Sequence, residues 1–329
     1  MTIKASYVKK AAADAGFDAC GIAGICNLDA ELAFTRRWLE KGFDGGLDYM
    51  HRNLDKRFSP RLLAAGTRSI VVCAVSYKND TGPGYPEGYA GPKIACYARA
   101  ADYHEIIKGM LRRLAAALES EYGRIGWRAF CDSAPVLEKR WAVQAGIGWQ
   151  GRNSLIINPK LGSFFLIGEL LIDAGTDVYD KPYSGPGCAG CSRCVERCPN
   201  RAIMPGKCID ARKCIARATI EKLYGGENVT AGENAAGNAA EQVNNTGIHG
   251  GCATPLNGWI FGCDECQSVC PYNMSAPGYR NPAFKPLFDP RELGREFWMS
   301  LSEEGFREKF GNTAMYRTGL ARLKKNIGE

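Results

Sequence analysis

The chain has 329 residues and a formal net charge of +7, with 45% hydrophobic and 23% charged residues. This composition is typical of a globular protein of about two domains and excludes a wholly disordered chain. No apolar run reaches the roughly 18–20 residues of a membrane span. The N-terminus shows no secretory signal either, so we expect a cytoplasmic protein without membrane contact.

The first half of the chain alternates helices and strands, as hydrophobic periodicity indicates. The strand predicted at 69–77 is uncharged and β-branched, which is typical of a strand covered on both faces. A hairpin is predicted from 154–158 to 163–172, around Asn-Pro-Lys-Leu-Gly. The other predicted elements are helices at 3–15, 29–41, 103–122 and 136–145 and strands at 17–23 and 127–131.

Composition divides the chain into three parts. We expect an α/β (α+β) lobe at 1–180, a ferredoxin-like Cys-rich domain at 181–275 and a short helical C-terminal segment at 276–329. The stretch 225–257 is polar and rich in small residues, so it is predicted to be a flexible surface loop. A helix is predicted just before it, at 210–223.

Cysteine is the unusual residue, because the sequence has 15 Cys and only 3 His. Without an export signal, metal binding or catalysis explains the thiols better than a disulfide framework does. So few imidazoles argue against His-rich zinc sites and against iron sites of the 2-His-1-carboxylate type. The cysteines are therefore the candidate metal ligands.

Two cysteine motifs follow one another along the chain. The first is Cys188-x2-Cys191-x2-Cys194-x3-Cys198-Pro, the run of bacterial ferredoxins, in which the fourth Cys ligates the other cluster. The second is Cys263-x2-Cys266-x3-Cys270-Pro and lacks one Cys. Structural zinc is the alternative interpretation, although two runs that both end in Cys-Pro favour two [4Fe-4S] clusters.

The missing ligand has one leading candidate, Cys214, with Cys208 and Cys252 as rivals. The crossover pattern assigns four thiolates to each cluster. The first set is Cys188, Cys191, Cys194 and Cys270. The second set is Cys198, Cys214, Cys263 and Cys266. Two such clusters would supply single electrons to another reaction centre.

Polar residues that could surround that centre stand where predicted elements end. Asp132 follows the strand at 127–131, where a carboxyl group with a raised pKa could donate a proton. The alternative is that it caps the next helix. The glycine-spaced loop 146–154 presents Asn153 and Ser154 either to a large ligand or simply within a tight turn. Arg57 lies in a basic turn.

Several motifs in fixed order resemble the family of epoxyqueuosine reductases, the cobalamin-dependent iron–sulfur enzymes of tRNA queuosine synthesis. The resemblance covers roughly residues 5–275. Its motifs are Arg57-x2-Pro60, Tyr97–His104, Asp132–Pro135, Gly146–Leu155, Gly162–Leu170, Cys188–Pro199, Ile209–Cys214 and Gly262–Pro271.

The resemblance implies a cobalamin-binding lobe followed by a dicluster lobe. The implied reaction removes the epoxide oxygen of epoxyqueuosine in a tRNA anticodon loop, with two electrons and two protons. It makes Asp132 the proton donor and places Arg57, Asp132, Asn153 and Ser154 against cobalamin. We also expect a monomer served by an external one-electron reductant such as a flavodoxin or ferredoxin.

The sequence also departs from the family pattern, since it leaves no room for the full C-terminal helical repeat that many members carry. The basic residues Arg317, Arg322, Lys324 and Lys325 are candidates for gripping tRNA, or else form a solvated helix face. Two other classes of protein fit part of the pattern. One is a dicluster ferredoxin-type electron carrier, and the other is a second kind of cobalamin-dependent reductase, such as a reductive dehalogenase.

Overall fold

The structure, a computed structural model, describes residues 1–79, 84–221 and 254–328. Its helices are α1 (Ala5–Asp14), α2 (Asp29–Glu40), α3 (Leu54–Phe58), α4 (Pro60–Leu63), α5 (Tyr103–Tyr122), α6 (Glu138–Gln144), α7 (Arg193–Arg197), α8 (Ile215–Ile220), α9 (Glu265–Ser268), α10 (Pro271–Ser275), α11 (Arg295–Ser300), α12 (Glu303–Phe310) and α13 (Leu320–Gly328). Within these ranges no helix has the length and apolar character needed to cross a bilayer.

Most of the strands are short. They are β1 (Thr2–Ile3), β2 (Ala19–Gly24), β3 (Ser69–Ser76), β4 (Lys93–Ile94), β5 (Trp127–Phe130), β6 (Trp149–Gln150), β7 (Ile156–Ile157), β8 (Phe165–Ile172), β9 (Gly175–Thr176), β10 (Ile203–Met204), β11 (Cys208–Ile209) and β12 (Trp259–Phe261). The predicted mixture of helices and strands is therefore confirmed.

The largest sheet has the strand order β2-β3-β8-β5, and all its neighbouring pairs are antiparallel. Every residue of β3 is buried, as its uncharged, β-branched sequence predicts. Because the strands are antiparallel, the rule that ligands bind at the carboxyl ends of parallel strands does not apply. The role of Asp132 therefore depends on its contacts and not on strand topology.

Helices cover both faces of this sheet. The predicted bounds of α5 are confirmed, and Ile107, Leu111 and Leu114 of that helix are fully buried against the sheet. At Gly168 of β8, an added Cβ would lie 2.5 Å from the Ile107 side chain, so glycine lets the helix approach the strand. The other face packs against α6 through Trp141.

Two predicted elements are wrong. The segments 154–158 and 163–172 do not form a hairpin, because β7 pairs with β6 and β8 joins the main sheet. An isolated bridge joins Asn158 to Gly162 within the turn between them. The predicted helix 210–223 is interrupted at Cys214, whose extended backbone separates a 3-10 turn from α8. The side chain of Asp210 accepts the backbone N–H of Arg212 and so caps the start of that turn.

The C-terminal segment packs back onto the body, as predicted. In its helices, Trp298, Phe310 and Leu323 share an apolar cluster with Phe261 and Ile94. Strand β12 pairs in parallel with β4, so the Cys-rich region and the first half share a small sheet. The division of the chain at residue 180 stays a prediction. Of the predicted loop 225–257, only residues 254–257 lie within the described ranges.

Candidate functional site

The first set of thiols lies together. The pKa of Cys194 is raised by burial and then by the neighbouring thiols of Cys188, Cys191 and Cys270. The pKa of Cys270 is raised by burial and by Cys188 and Cys191, against the effect of backbone hydrogen bonds. Because a thiolate disfavours a second thiolate beside it, these mutual effects show that the side chains share one small volume.

The second set lies beside the first. Burial raises the pKa of Cys263, and the thiols of Cys266 and Cys214 raise it further. The pKa of Cys214 is raised by burial and by Cys198. Burial raises the pKa of Cys266, with further contributions from Cys214 and from Cys194 of the first set. The two sets are therefore neighbours.

The rival ligands are placed differently. Burial raises the pKa of Cys208, followed by the charge of Asp210, and in the part of the chain that is described no other thiol contributes. Cys214 lies at the start of α8, where backbone N–H groups donate to its sulfur. Cys252 is outside the described residues. Within the described ranges, no three His, Cys, Asp or Glu residues form a site for a single metal ion.

Asp132 follows β5 in a left-handed conformation, with φ of 58°. Its Oδ2 accepts a hydrogen bond from the Tyr103 hydroxyl at 2.7 Å and lies 3.3 Å from Nε2 of His104. Its backbone N–H donates to the carboxylate of Glu138. Asp132 does not cap the next helix, because the N-cap of α6 is Leu137. Its side chain is 60% exposed and free to meet a ligand.

The expected raised pKa of Asp132 is wrong. The hydrogen bond from His104 lowers the pKa of Asp132, and the bond from Tyr103 adds to this effect against the opposing effect of burial. Both donors stabilise the carboxylate over the acid. The contact between His104 and Asp132 also favours a protonated imidazole beside the carboxylate. Burial would lower the pKa of His104, but the hydrogen bonds to Asp102 and Asp132 raise it.

Asp102 completes a chain of hydrogen bonds at the start of α5. As the N-cap of α5 it accepts the backbone N–H of His104, and it lies 2.6 Å from Nδ1 of the same residue. Burial alone would raise the pKa of Asp102, but the hydrogen bonds from His104 lower it to about 2. Asp102 is therefore an anion that orients the imidazole of His104 toward Asp132.

A pair of acidic side chains lies beneath Asp132. Burial and the charge of Asp132 raise the pKa of Glu138 to about 7. Glu169 of β8 is fully buried, and burial together with Glu138 raises its pKa. Among the described residues, neither oxygen of Glu169 has a hydrogen-bond donor. Because its neighbour is another carboxyl, the two can hydrogen-bond only when one of them is protonated, which favours the neutral form of Glu169.

Asp132 opens into a cavity of about 520 Å³. The helix that follows Cys214 also reaches this cavity, because Ile220 and Glu221 line it. Its other walls come from four separate parts of the chain: Gly46–Tyr49 and Arg52, Tyr97 with Tyr103 and His104, Phe261, and Ala314 with Arg317 and Thr318. The second set of thiols is thus connected to the cavity through one short helix.

The other predicted ligand-binding residues lie outside this lining. Arg57 is buried and donates to the Tyr49 carbonyl at 3.1 Å, while its Nε has no partner among the described residues. Asn153 is buried, and its side chain hydrogen-bonds Cys266. The Ser154 hydroxyl donates to the Lys207 carbonyl. Asn153 is therefore placed toward the thiols and not toward the cavity.

Sequence reasoning overlooked several residues of the site. It gave no chemical role to Tyr103, His104, Glu138 or Glu169. Within the basic tail, Arg322 donates to the Ala218 carbonyl and Lys324 to two carbonyls of its own segment, whereas Arg317 lines the cavity. The Tyr103-His104 pair directly after Asp102 was the sequence feature that could have indicated these additional site residues.

Two neighbouring sets of four thiols beside a cavity that Asp132 lines are the arrangement expected of an iron–sulfur oxidoreductase. The family model described as "4Fe-4S double cluster binding domain" matches residues 187–273, and the one described as "Epoxyqueuosine reductase QueG, DUF1730" matches residues 57–133. The chain is 37% identical to the epoxyqueuosine reductase of Cyclobacterium marinum, over 97% of this chain and 94% of that protein. It is 38% identical to that of Leadbetterella byssophila, over 97% and 96%. The chain belongs to the epoxyqueuosine reductase family.

Solved structures show the same fold. The epoxyqueuosine reductase of Streptococcus thermophilus superimposes with a TM-score of 0.76 at 24% identity, covering 97% of this chain and 78% of that one. An epoxyqueuosine reductase solved with an epoxyqueuosine-modified tRNA-Tyr stem loop gives a TM-score of 0.77 at 22% identity, covering 98% and 79%.

Proposed function

We propose that this protein reduces the epoxide of epoxyqueuosine in a tRNA anticodon loop, consuming two electrons and two protons and releasing water. Family membership supports the reaction class. The observation that carries the assignment to this cavity is the position of Asp132, which is exposed to the cavity and bonded to Tyr103 and His104.

The two sets of thiols are the proposed ligands of two [4Fe-4S] clusters. The first cluster would be held by Cys188, Cys191, Cys194 and Cys270, and the second by Cys198, Cys214, Cys263 and Cys266. When bound, such clusters transfer one electron at a time. Because the Cys194 thiol raises the pKa of Cys266 and α8 joins Cys214 to the cavity wall, the second set is the proposed last stage of transfer.

Cobalamin is the proposed cofactor of the cavity, where it would supply a reducing centre that no side chain provides. Two observations fit a large polar ligand. The buried Nε of Arg57 has no partner among the described residues, and the Tyr49 carbonyl bonded to that guanidinium belongs to the cavity wall. The proposed contacts from Asn153 and Ser154 require these side chains to exchange their present partners.

Side chains of the protein hold and deliver the proton. Nδ1 of His104 is held by Asp102, and its Nε2 faces Asp132, so one proton can be held between Nε2 and Oδ2 at the cavity. An epoxide oxygen leaves poorly as an alkoxide, and an acid beside it lowers the barrier. Tyr103 keeps the Asp132 carboxyl turned toward this position through its 2.7 Å hydrogen bond.

An anaerobic preparation tests the proposal. We expect about eight iron and eight sulfide per chain, since two cubanes each contain four of each. We also expect bound corrinoid after reconstitution, and turnover of epoxyqueuosine-containing tRNA with a low-potential reductant. Clusters without corrinoid binding would instead indicate an electron carrier. Turnover of halogenated organics but not of the tRNA would indicate a dehalogenase.

A further inference from the structure

Arg317, in the C-terminal segment, reaches the hydrogen-bonded chain at the start of α5. Its Nη2 donates to Oδ2 of Asp102 at 3.0 Å, and its Nη1 lies 3.3 Å from Nε2 of His104. The residue also lines the cavity into which Asp132 opens. A guanidinium has five donors and no acceptor, so both contacts can only be donations from Arg317.

The segment that carries Arg317 is fixed at this position. The backbone N–H of Asp102 donates to the Asn312 carbonyl at 2.8 Å. Between Asn312 and Arg317 in the chain, Thr313, Ala314 and Met315 are buried. The guanidinium therefore approaches His104 from an anchored turn, although its own side chain is 55% exposed.

Nε2 of His104 has two competing neighbours. Nη1 of Arg317 and Oδ2 of Asp132 each lie 3.3 Å from it. When Nε2 carries a proton it can donate to Asp132 but cannot accept from Arg317. When Nε2 has a free lone pair it accepts from Arg317, and the Nδ1 proton remains with Asp102. The two contacts belong to different protonation states.

We propose that Arg317 is a positioning residue of the reaction: it donates to the Nε2 lone pair of neutral His104 and so shifts the shared proton onto the Asp132 carboxyl, which faces the cavity. This role rests on the proposed function. In this role Arg317 differs from the remaining basic residues of the C-terminal segment. Through Arg317, the C-terminal segment contributes a side chain to the site.

The sign of the effect follows from the groups around His104. The anions Asp102 and Asp132 favour its charged form, Arg317 opposes it, and the Tyr103 ring is stacked on the imidazole at 4.1 Å. Removing the guanidinium therefore raises the pKa of His104. The proton then stays on the imidazole to higher pH and is less available to the Asp132 carboxyl.

The test compares holoenzymes carrying Arg317→Gln, Arg317→Lys and the control Lys325→Gln, which removes one exposed charge from the same segment. Isotope-labelled His resolves the imidazole titrations, because the sequence contains 3 His. The His104 signal is assigned with His104→Gln. We expect Arg317→Gln to move its midpoint upward by about 0.5–1 pH unit, and Lys325→Gln to leave it unchanged. Arg317→Lys should restore most of the wild-type midpoint.

Turnover of epoxyqueuosine-containing tRNA is then followed against pH. For Arg317→Gln we expect the alkaline limb of kcat to move upward with the midpoint and the maximal kcat to fall by about tenfold, with KM little changed. An unmoved His104 midpoint overturns the inference even if kcat falls, because a purely structural role would give that result. Failure of the wild-type enzyme to reduce the tRNA contradicts the proposed function, while the titration still tests Arg317.

Discussion

Glu169, near the centre of β8, lies beside Glu138 of α6, and among the described residues no hydrogen-bond donor reaches either oxygen of Glu169. The backbone N–H of Asp132 donates to Glu138, so this pair supports the left-handed turn that presents Asp132 to the cavity. Two carboxyls in contact retain a proton that a separated pair would release.

Glu169→Gln is expected to change how stability depends on pH. In the folded protein Glu169 stays protonated above 4.5, its ordinary pKa, whereas in the unfolded chain it ionises there. The folded state then binds more protons at this site, so the contribution of Glu169 to wild-type stability falls as pH rises from about 4.5 toward the raised pKa. The neutral amide removes this loss. The stability difference, variant minus wild type, should therefore grow by about 1.4 kcal/mol per pH unit in that range.

Anaerobic urea unfolding at pH 5, 6 and 7 measures this difference. Glu121→Gln, an exposed change in α5, serves as the control and should show no such trend. If the difference for Glu169→Gln is the same at all three pH values, Glu169 is not the neutral partner.

Asp132→Asn is expected to retain both clusters and bound corrinoid and to lose roughly 100-fold or more in kcat. The amide can still accept from Tyr103, but it cannot hold or deliver the proton. Single-turnover assays with epoxyqueuosine-containing tRNA, alongside iron and corrinoid content, provide the measurement. Asp55→Asn, an exposed change in α3, is the control and should leave kcat unchanged. An unaltered rate in Asp132→Asn would show that the proton comes from another group.

Cys214→Ala should impair one cluster selectively, because the Cys214 thiol, at the start of α8, lies near the thiols of Cys198 and Cys263. Iron content is expected to fall toward half, with the remaining cluster visible by electron paramagnetic resonance after reduction. Cys208→Ala is the matched control and should keep full iron content. The opposite pattern would make Cys208 the ligand, and full iron content in both variants would point to Cys252.

Asn273→Ala should weaken the attachment of the Cys270 loop to the first half of the chain. The Asn273 side chain accepts the N–H of Ser163, donates to the Ser163 hydroxyl at 2.9 Å and donates to the Gln267 carbonyl at 2.7 Å. Its loss leaves buried polar groups unpaired, at about 1–3 kcal/mol each. We expect a lower unfolding temperature and faster loss of iron to a chelator, whereas the exposed control Met274→Ala should match wild type. Equal iron loss in both variants would contradict this.

The sequence alone determined the local elements and the ligand spacing. The buried strand β3 and the helix α5 follow from short-range hydrophobic periodicity, and the two cysteine runs follow from motif spacing, because both patterns are properties of neighbouring residues. The order of motifs was also sufficient to indicate the family. Where tertiary pairing decides, as for β7 and β8, the local prediction was wrong.

The proton site was decided by the tertiary structure. Asp132 contacts Tyr103 and His104, which belong to another element. Arg317, which contacts His104, is more than 200 residues away from it in the sequence. The direction of the Asp132 pKa depends on the balance between burial and these donors, and the sequence does not encode that balance locally. Side-chain contacts of this kind exist only after the sheet, α5 and the C-terminal segment have packed together.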